Sequence, residues 1–405
     1  MSLRTDSFLF TLLIAGLSTL PPLCIDMNLP AIPALESAFQ VAQGQGALTF
    51  SLFLLGFSIA PIMGGPLADR YGRRPTLLIS LLFVSLAAFA CMLKASFHFL
   101  LLARLIQGTA AGVCILIPLA VIRDTLSGSA ARRKLSGIML IGGLAPLLAP
   151  IIGSVVLTLL GWRAIYGMQG ALGVILLVAV FFGLPETLSV ERRIPLNPRQ
   201  LATGYKTIFT DRDFCGLAFP QAFGFGCLFS YIAGSPGFLV EELHLSEKMY
   251  SLVFAGTSAG LVVGSMISGF LGRREVHARP IIAADLVGMV LAVCCILFFT
   301  WGNGTTSLPQ LFPLLLAVMV CFGMMLPNTM SEAVSNWESM AGTASGAINS
   351  LQMFVGAGAS ALVSGLAGVL PPGQTMSLSM ACSIFLAAGI YWGLRPKRDF
   401  TERLS

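Results

Sequence analysis

The sequence predicts an all-α integral membrane protein whose helices cross the bilayer repeatedly. Its 405 residues are 56% hydrophobic and only 10% charged, whereas a soluble domain usually carries about 25% charged residues. Long segments contain no Asp, Glu, Lys or Arg, and several reach the roughly 20 residues that a helix needs to cross the hydrocarbon. Their apolar residues are continuous rather than alternating, which excludes the strands of a membrane barrel.

Twelve transmembrane spans follow from these segments and from the breakers between them. Two longer apolar stretches are divided by "WGNGTTSLPQ" at 301–310 and by "LPPG" at 370–373. The first span is too long and uninterrupted for a signal peptide and lacks a small-residue cleavage site. The predicted spans are 8–28, 46–68, 75–94, 98–121, 137–158, 164–184, 214–234, 249–271, 279–300, 309–330, 342–367 and 374–394.

The basic residues predict the orientation. Twenty of the 24 Lys and Arg residues fall in the two tails and in alternate connections, and only Lys94, Arg163 and Lys248 fall in the others. Because positive loops stay on the cytoplasmic side, both termini are predicted to be cytoplasmic. The net charge of +6 is therefore interpreted as a signal of topology and not of nucleic-acid binding.

The chain is predicted to consist of two six-helix halves. The longest hydrophilic segment, 185–213, lies in the middle and is interpreted as a cytoplasmic linker between an N-terminal bundle, 1–184, and a C-terminal bundle, 214–405. "LADRYGRRP" after span two has a counterpart in "GFLGRREVHARP" after span eight. Such duplicated halves are typical of transporters that rock one bundle against the other.

Several other function classes find no support in the sequence. There is no GxxxxGK[ST] loop and no linker long enough for an ATPase domain, so we expect an ion gradient to supply the energy. Nine cysteines show no CxxC pattern, and His98, His244 and His277 lack metal-ligand spacing. We expect a transporter, not an enzyme, with no cofactor and no metal.

Residues 64–75, "GGPLADRYGRRP", join spans two and three and resemble the signature of the major facilitator superfamily. Glycines here permit close helix contact and a tight turn. The resemblance implies a cytoplasmic latch in which the acid faces the start of helix eleven and an arginine pairs with an acid at the end of helix four. The implied latch residues are Gly65, Asp69, Arg70, Gly72, Arg73, Arg74 and Asp124.

Three further motifs resemble this superfamily, and those in spans one and five resemble its Bcr/CflA subgroup of proton-driven drug antiporters. They are "RLIQGTAAG" in span four, "CIDMNLPAIP" in span one and "GGLAPLLAPIIG" in span five, and "MAGTASG" at the start of span eleven also fits. The motif in span five implies a bend of that helix that seals the outward leak path in an exporter. The implied residues of the bend are Gly142, Gly143, Pro146, Pro150 and Gly153. The sequence departs from the usual motifs at Ala145, where glycine is typical, and at Asn28, where tyrosine is usual.

Asp26 and Arg104 are the candidate proton-coupling residues. Asp26 lies about 27 Å along helix one and Arg104 about 9 Å from the outer end of helix four, so the two charges are expected at similar depth. Our hypothesis is that Asp26 exchanges a proton, that Arg104 modulates it, and that a cationic substrate displaces the proton. The alternative is a fixed ion pair that only holds the helices together.

Other polar residues are weaker candidates. Asn28, Gln221 and Tyr231 are candidates for the substrate cavity. Asp285 is expected either to snorkel or to pair with Arg279 near the cytoplasmic face, without a coupling role. Glu332 and Glu338 are expected in a cytoplasmic loop.

The resemblance implies a monomer in a bacterial inner membrane that exchanges protons for drugs or other amphipathic small molecules by alternating access. An exporter of one endogenous metabolite, such as an amino acid or a metal-chelating molecule, stays open as an alternative. A proton symporter for uptake is disfavoured by the span-five motif, and a receptor without transport would not need an intramembrane pair of charges.

Overall fold

The computed structural model describes residues 7–93, 95–126, 145, 148–193, 197–302, 307–337 and 340–394. These residues form fourteen α-helices that follow one another with short connections. They are α1 Phe8–Asp26, α2 Ile32–Phe39, α3 Leu48–Tyr71, α4 Arg73–Cys91, α5 Phe97–Thr125, α6 Leu148–Leu160, α7 Trp162–Gly183, α8 Pro198–Thr210, α9 Arg212–Ser235, α10 Glu247–Arg273, α11 Ala278–Trp301, α12 Leu308–Ser335, α13 Ala341–Leu366 and α14 Pro372–Gly393.

Eleven membrane-length apolar segments lie within the described residues, at the places of eleven predicted spans. Most of their ends fall within three residues of the prediction. The first segment, which continues to Phe39, and the seventh, which continues to Glu242, extend furthest beyond their predicted ends. The predicted fifth span, 137–158, lies partly outside the described residues, and its later part is α6. Helix α8 lies in the predicted linker, with most of its residues exposed.

The first span differs from its prediction, because it is a broken helix that continues to Phe39. Helix α1 ends at Asp26, a short 3-10 turn covers Leu29–Ala31, and α2 follows. The break lies in "DMNLPAIP". Pro30 and Pro33 have no N–H to donate to the carbonyls four residues earlier, at Asp26 and Leu29. The sequence thus ends α1 at its only acidic residue.

The two segments predicted to divide apolar stretches, 301–310 and 370–373, contain the starts of helices. Helix α12 starts at a capping box, in which the Ser307 side chain and the Gln310 side chain each accept a backbone N–H of the other residue. Helix α14 starts at Pro372, the second proline of "LPPG", and Pro371 is its N-cap residue. Helices α3 and α4 are separated by Gly72 alone, whose φ of 107° and ψ of 156° are open to glycine and costly for other residues.

Two reciprocal glycine contacts show that the halves are built alike. In the first half an added Cβ at Gly56 would lie 2.1 Å from the Leu105 carbonyl oxygen, and one at Gly108 would lie 2.0 Å from that of Phe53. In the second half, Gly264 and Gly323 make the same kind of contact between α10 and α12. The pairs join spans two and four and spans eight and ten, so the backbones touch at equivalent places.

The two halves meet along α3 and α13. Ser51 of α3 donates to Ser360 of α13 at 2.7 Å, and Ser251 of α10 donates to the Pro150 carbonyl of α6 at 3.3 Å. The Gln43 side chain bonds Glu241 at the same end of the molecule. A cavity of about 330 Å³ lies there between the halves. This end is the one predicted to face away from the cytoplasm.

We expect Gly108→Ala to destabilise the protein by about 1–3 kcal/mol, because the added methyl group would clash with the carbonyl oxygen of Phe53. The matched control is Gly358→Ala on α13, where an added Cβ meets nothing within 4 Å. Alanine favours helix by up to about 1 kcal/mol over glycine, so the control should be neutral or stabilising. Thermal unfolding of both variants in detergent measures the difference, and equal midpoints would contradict the proposed backbone contact.

Candidate functional site

Asp26 is the last residue of α1 and is only 5% exposed. It lies where three elements meet. On one side Gly153 of α6 lies against Met27, so closely that an added Cβ would be 2.2 Å from the Met27 carbonyl oxygen. On another side α10, from the second half, packs on the turn at Leu29–Ala31. Within the described part of the chain, no hydrogen bond or ion pair reaches the Asp26 carboxylate.

Arg104 is buried on α5, with 1% of its surface exposed. Its Nη1 donates to the Cys24 carbonyl at 3.1 Å and to Gln107 Oε1 at 2.7 Å. Its Nε donates to the Thr49 carbonyl at 3.2 Å, and its guanidinium lies 4.4 Å from the centre of the Phe53 ring. Arg104 therefore holds the carbonyl end of α1, where a cation is favourable.

Arg104 and Asp26 do not form an ion pair in this structure, since no ion pair between described residues joins them. The alternative of a fixed pair that only holds the helices together thus finds no support. The guanidinium is satisfied by carbonyls, an amide and an aromatic face, and the carboxylate lies near it on the same helix end without bonding it.

A polar network extends from Arg104 towards α7. Gln107 donates to Gln169 Oε1 at 3.2 Å, and Gln169 donates to the Leu23 carbonyl at 3.4 Å. The hydroxyl of Tyr166 is buried beside Arg104 with no hydrogen-bond partner among the described residues. Sequence reasoning missed these residues. Gln107 stands in the "RLIQG" motif, but Tyr166 and Gln169 show no signal except polarity in an apolar span.

The three cavity candidates are all buried. Asn28 donates to the Cys24 carbonyl at 2.8 Å, and its Oδ1 has no partner in the described part of the chain. The Oε1 of Gln221 on α9 is likewise buried without a described partner. Tyr231 hydrogen-bonds Thr257 at 2.9 Å and stacks on Phe254. Of the three, Asn28 lies beside Asp26 in the chain.

Tyr250 is a residue near Asp26 that the sequence analysis missed. It lies in the first turn of α10, is fully buried, and approaches the Ser235 hydroxyl at 3.3 Å. The next residue, Ser251, donates to the Pro150 carbonyl of α6, which joins this turn to the first half. Nothing in the sequence singles out one tyrosine at the start of span eight.

The implied latch residues meet at the other end of the first half. Arg73 Nη1 lies 2.6 Å from Asp69 Oδ1, and Arg73 Nε lies 3.2 Å from Asp124 Oδ2. Arg74 donates to the Phe181 carbonyl at 2.6 Å. Arg70 instead lies 5.2 Å from the centre of the Tyr71 ring and makes no ion pair with a described residue. No described hydrogen bond links Asp69 to α13.

The glycines of this motif differ from one another. Gly64 lies against Val113, where an added Cβ would come within 2.9 Å, but an added Cβ at Gly65 meets nothing within 4 Å. The expectation that Gly65 permits a close helix contact is therefore wrong. Gly72 has a second reason to be glycine, because an added Cβ would lie 2.3 Å from Glu186 Oε2.

Glu186 is a third acid at this end, and sequence reasoning missed it. It follows α7 and accepts the backbone N–H groups of Arg73 at 2.9 Å and Arg74 at 3.2 Å. These are the first two residues of α4, so the carboxylate caps the N-terminus of that helix. The cluster of Asp69, Arg73, Asp124 and Glu186, which we call the latch cluster, joins α3, α4, α5 and the chain after α7.

The remaining predicted residues are only partly described. Gly142, Gly143 and Pro146 of the predicted bend lie outside the described residues, as does Glu338. Pro150 and Gly153 are described, and they contact the second half and Met27 respectively.

The predicted pairing of Asp285 with Arg279 is wrong. Arg279 pairs with Glu332 at 3.0 Å, and Glu332 lies in the last turn of α12, not in a loop. Asp285 is 3% exposed within the second half, and its Oδ2 has no partner among the described residues. Asp285 lies six positions after Arg279 on the same helix, and the long Arg279 side chain extends to Glu332 of α12 instead.

Comparisons with known proteins agree with this architecture. The chain is 27% identical to a bicyclomycin resistance protein homolog of Haemophilus influenzae, over 97% of this chain and 98% of that one. It is 27% identical to a multidrug resistance protein MdtL of Shewanella sp. strain ANA-3, over 85% and 86% of the two chains. The crystal structure of a bacterial homolog of the human lysosomal transporter Spinster, inward-facing and occupied, matches with a TM-score of 0.74 and 17% identity, over 96% and 97% of the two chains.

The sequence profile of the Major Facilitator Superfamily matches residues 14–361, which is most of the chain. Members of this superfamily are multi-pass membrane transporters, and the helices, their order and the signature between α3 and α4 agree with that architecture. The chain therefore belongs to the Major Facilitator Superfamily.

Proposed function

We propose that this transporter is a proton-coupled antiporter that exports drugs or other amphipathic small molecules by alternating access. The observation that carries the proposal is the Asp26 carboxyl, which is buried at the junction of the two halves and has no partner among the described residues. The energy source is a proton gradient, and the latch end is the cytoplasmic end.

Asp26 is suited to exchange because an ionised carboxylate in that position lacks compensating contacts. A buried charge without a partner is costly, so either a proton or a cationic group of the substrate must neutralise it. The two cannot occupy the carboxylate together. Proton release from Asp26 would thus accompany binding of a cationic substrate, and substrate release would allow a proton to return.

Arg104 contributes by fixing the end of α1 and not by neutralising Asp26. Its donors are engaged by the Cys24 and Thr49 carbonyls and by Gln107. The carboxylate stays available for exchange because the guanidinium is already satisfied.

The latch cluster is proposed to hold the cytoplasmic end of the first half in one arrangement. Arg73 bridges two acids on different helices, and Glu186 caps the helix that begins at Arg73. Rearrangement of these charges would accompany the change of access. Their partial exposure keeps each contact weak enough to be broken during a cycle.

The choice of drugs as substrates rests on two relatives named for bicyclomycin resistance and multidrug resistance. Both share about a quarter of their residues with this chain, which supports the class of substrate and not one compound. An exporter of one endogenous metabolite is the other outcome that the experiment below distinguishes.

We expect Asp26→Asn to abolish substrate-driven proton movement, because the amide cannot exchange a proton. Proteoliposomes with a trapped pH dye and an imposed proton gradient would be exposed to drugs, amino acids and metal-chelating metabolites. Wild-type protein should release protons with drugs, and the variant should match empty liposomes. The compounds that act identify the substrate class.

The matched control is Asp285→Asn, which changes the other buried aspartate, outside the junction of the halves. It should keep normal proton flux. Normal, pH-dependent flux in Asp26→Asn would refute Asp26 as the proton site. Folded wild-type protein that moves no protons with any compound would refute drug–proton antiport.

We expect Arg73→Lys to slow transport about fivefold, because a single ammonium cannot hold Asp69 and Asp124 with separate donors and a partly exposed pair is worth up to about 1 kcal/mol. The control in the same motif is Arg70→Lys, since Arg70 makes no described ion pair and its rate should stay near that of wild type. Transport rates in proteoliposomes, normalised to folded protein, measure both. Equal rates for the two variants would exclude a role for the latch cluster in the cycle.

A further inference from the structure

Four hydroxyl-bearing residues form two pairs inside the second half, on α9 and α10. Tyr231 bonds Thr257 at 2.9 Å, and Tyr250 approaches Ser235 at 3.3 Å. All four residues are at most 1% exposed. The tyrosine rings lie on either side of Phe254, with ring centres 6.0 and 6.1 Å from it.

The direction of each hydrogen bond follows from the number of protons. The Ser235 hydroxyl donates to the Ile232 carbonyl at 3.1 Å, and the Thr257 hydroxyl donates to the Phe254 carbonyl at 2.9 Å. A hydroxyl has one proton to donate. Each tyrosine must therefore be the donor towards its partner.

The two tyrosine protons are not held equally. A hydroxyl–hydroxyl bond is normally about 2.7–2.8 Å long and weakens beyond about 3.0 Å. At 2.9 Å the Tyr231 proton is well placed on Thr257, whereas at 3.3 Å the Tyr250 proton is weakly held by Ser235. The Tyr250 proton is the one available to a better acceptor.

A better acceptor lies across the junction. Helix α10 packs on the turn that follows Asp26, and Tyr250 and Leu29 belong to one buried cluster. Ser251, next to Tyr250, donates to the Pro150 carbonyl of α6, and Gly153 of α6 lies against Met27, the residue after Asp26. The first turn of α10 thus lies across the junction from the end of α1.

Other titratable groups around this junction are engaged elsewhere. Cys24 of α1 and Tyr166 of α7 face Arg104 of α5, and Gln107 donates to the Cys24 sulfur at 3.6 Å. Tyr231 of α9 is committed to Thr257. Lys248 at the start of α10 is exposed.

We infer that Tyr250 is the positioning residue through which the second half responds to the proton on Asp26. Ionised Asp26 accepts the Tyr250 hydroxyl and draws the first turn of α10 towards α1. Protonated Asp26 is a poorer acceptor, and Tyr250 returns to Ser235. No covalent bond changes, and one hydrogen bond exchanges its acceptor, so the proton moved by the transporter alters the fit between the halves.

This inference rests on the proposed proton exchange at Asp26, and its test needs no substrate. Spin labels on Ala42 and Val369, exposed positions at the outer end of the two halves, would report the distance between the halves as pH is varied. The comparison includes wild type, Asp26→Asn, Tyr250→Phe and Thr257→Val. Phenylalanine removes only the hydroxyl and leaves the ring packing on Phe254.

We expect the distance distribution of the wild type to change with pH, and that response to be lost in Asp26→Asn and in Tyr250→Phe. Thr257→Val, which removes the hydroxyl of the other pair, is the control and should respond as the wild type does. In the flux experiment Tyr250→Phe should lower the transport rate about tenfold, the effect of one hydrogen bond to a charged group. Adding Tyr250→Phe to Asp26→Asn should change nothing further.

A pH response in Tyr250→Phe equal to that of the wild type overturns the inference, as does a wild type whose halves do not respond to pH. Equal losses in Tyr250→Phe and Thr257→Val would assign the effect to packing of the hydroxyls and would overturn it too. These outcomes are separate from those of the flux experiment. A normal pH response without drug-driven flux would refute the proposed substrates while supporting the role of Tyr250.

Discussion

The break in the first helix is the constraint on which the rest of the site depends. Pro30 and Pro33 supply no N–H to the Asp26 and Leu29 carbonyls, so α1 ends at Asp26. Arg104, Asn28 and Gln169 donate to the Leu23 and Cys24 carbonyls in the last turn of α1. The polar network of the first half thus surrounds the end of α1, and Asp26 lies at that end beside the second half.

Within each half, pairs of helices pack closely against one another at glycines. Glycines let α3 touch α5 and let α10 touch α12 backbone to backbone. Between the halves the described hydrogen bonds are few, such as Ser51 with Ser360. Because few described hydrogen bonds join the halves, whereas backbone contacts at glycines fix the helices within each half, we expect relative movement of the halves to cost less than deformation of either one.

The sequence predicted the parts of the structure that burial and charge decide locally. The spans follow from the length of the apolar segments. The turn at Gly72 follows from the φ that glycine can adopt, and the similar depth of Asp26 and Arg104 follows from the rise per residue of a helix. The sequence did not predict contacts between distant parts of the fold. The motif "DMNLPAIP" predicts a family resemblance, but the break that its prolines make in the first helix became apparent only in the structure. Glu186 and Tyr250 stand in ordinary stretches, and only the packing of distant helices gives them partners. Asp285 was assigned a neighbour six residues away, while the neighbour of Arg279 came from α12.

The capping of α4 by Glu186 has a consequence for the chain between the halves. Glu186 fixes the start of the linker to the first half. Helix α8 near its end packs on α9 and α13 of the second half. The chain up to Glu186 therefore moves with the first half, and the chain from Pro198 onwards moves with the second. The chain length between these two anchors sets the largest opening at this end of the molecule, so a deletion between them would restrict the relative movement without changing either bundle.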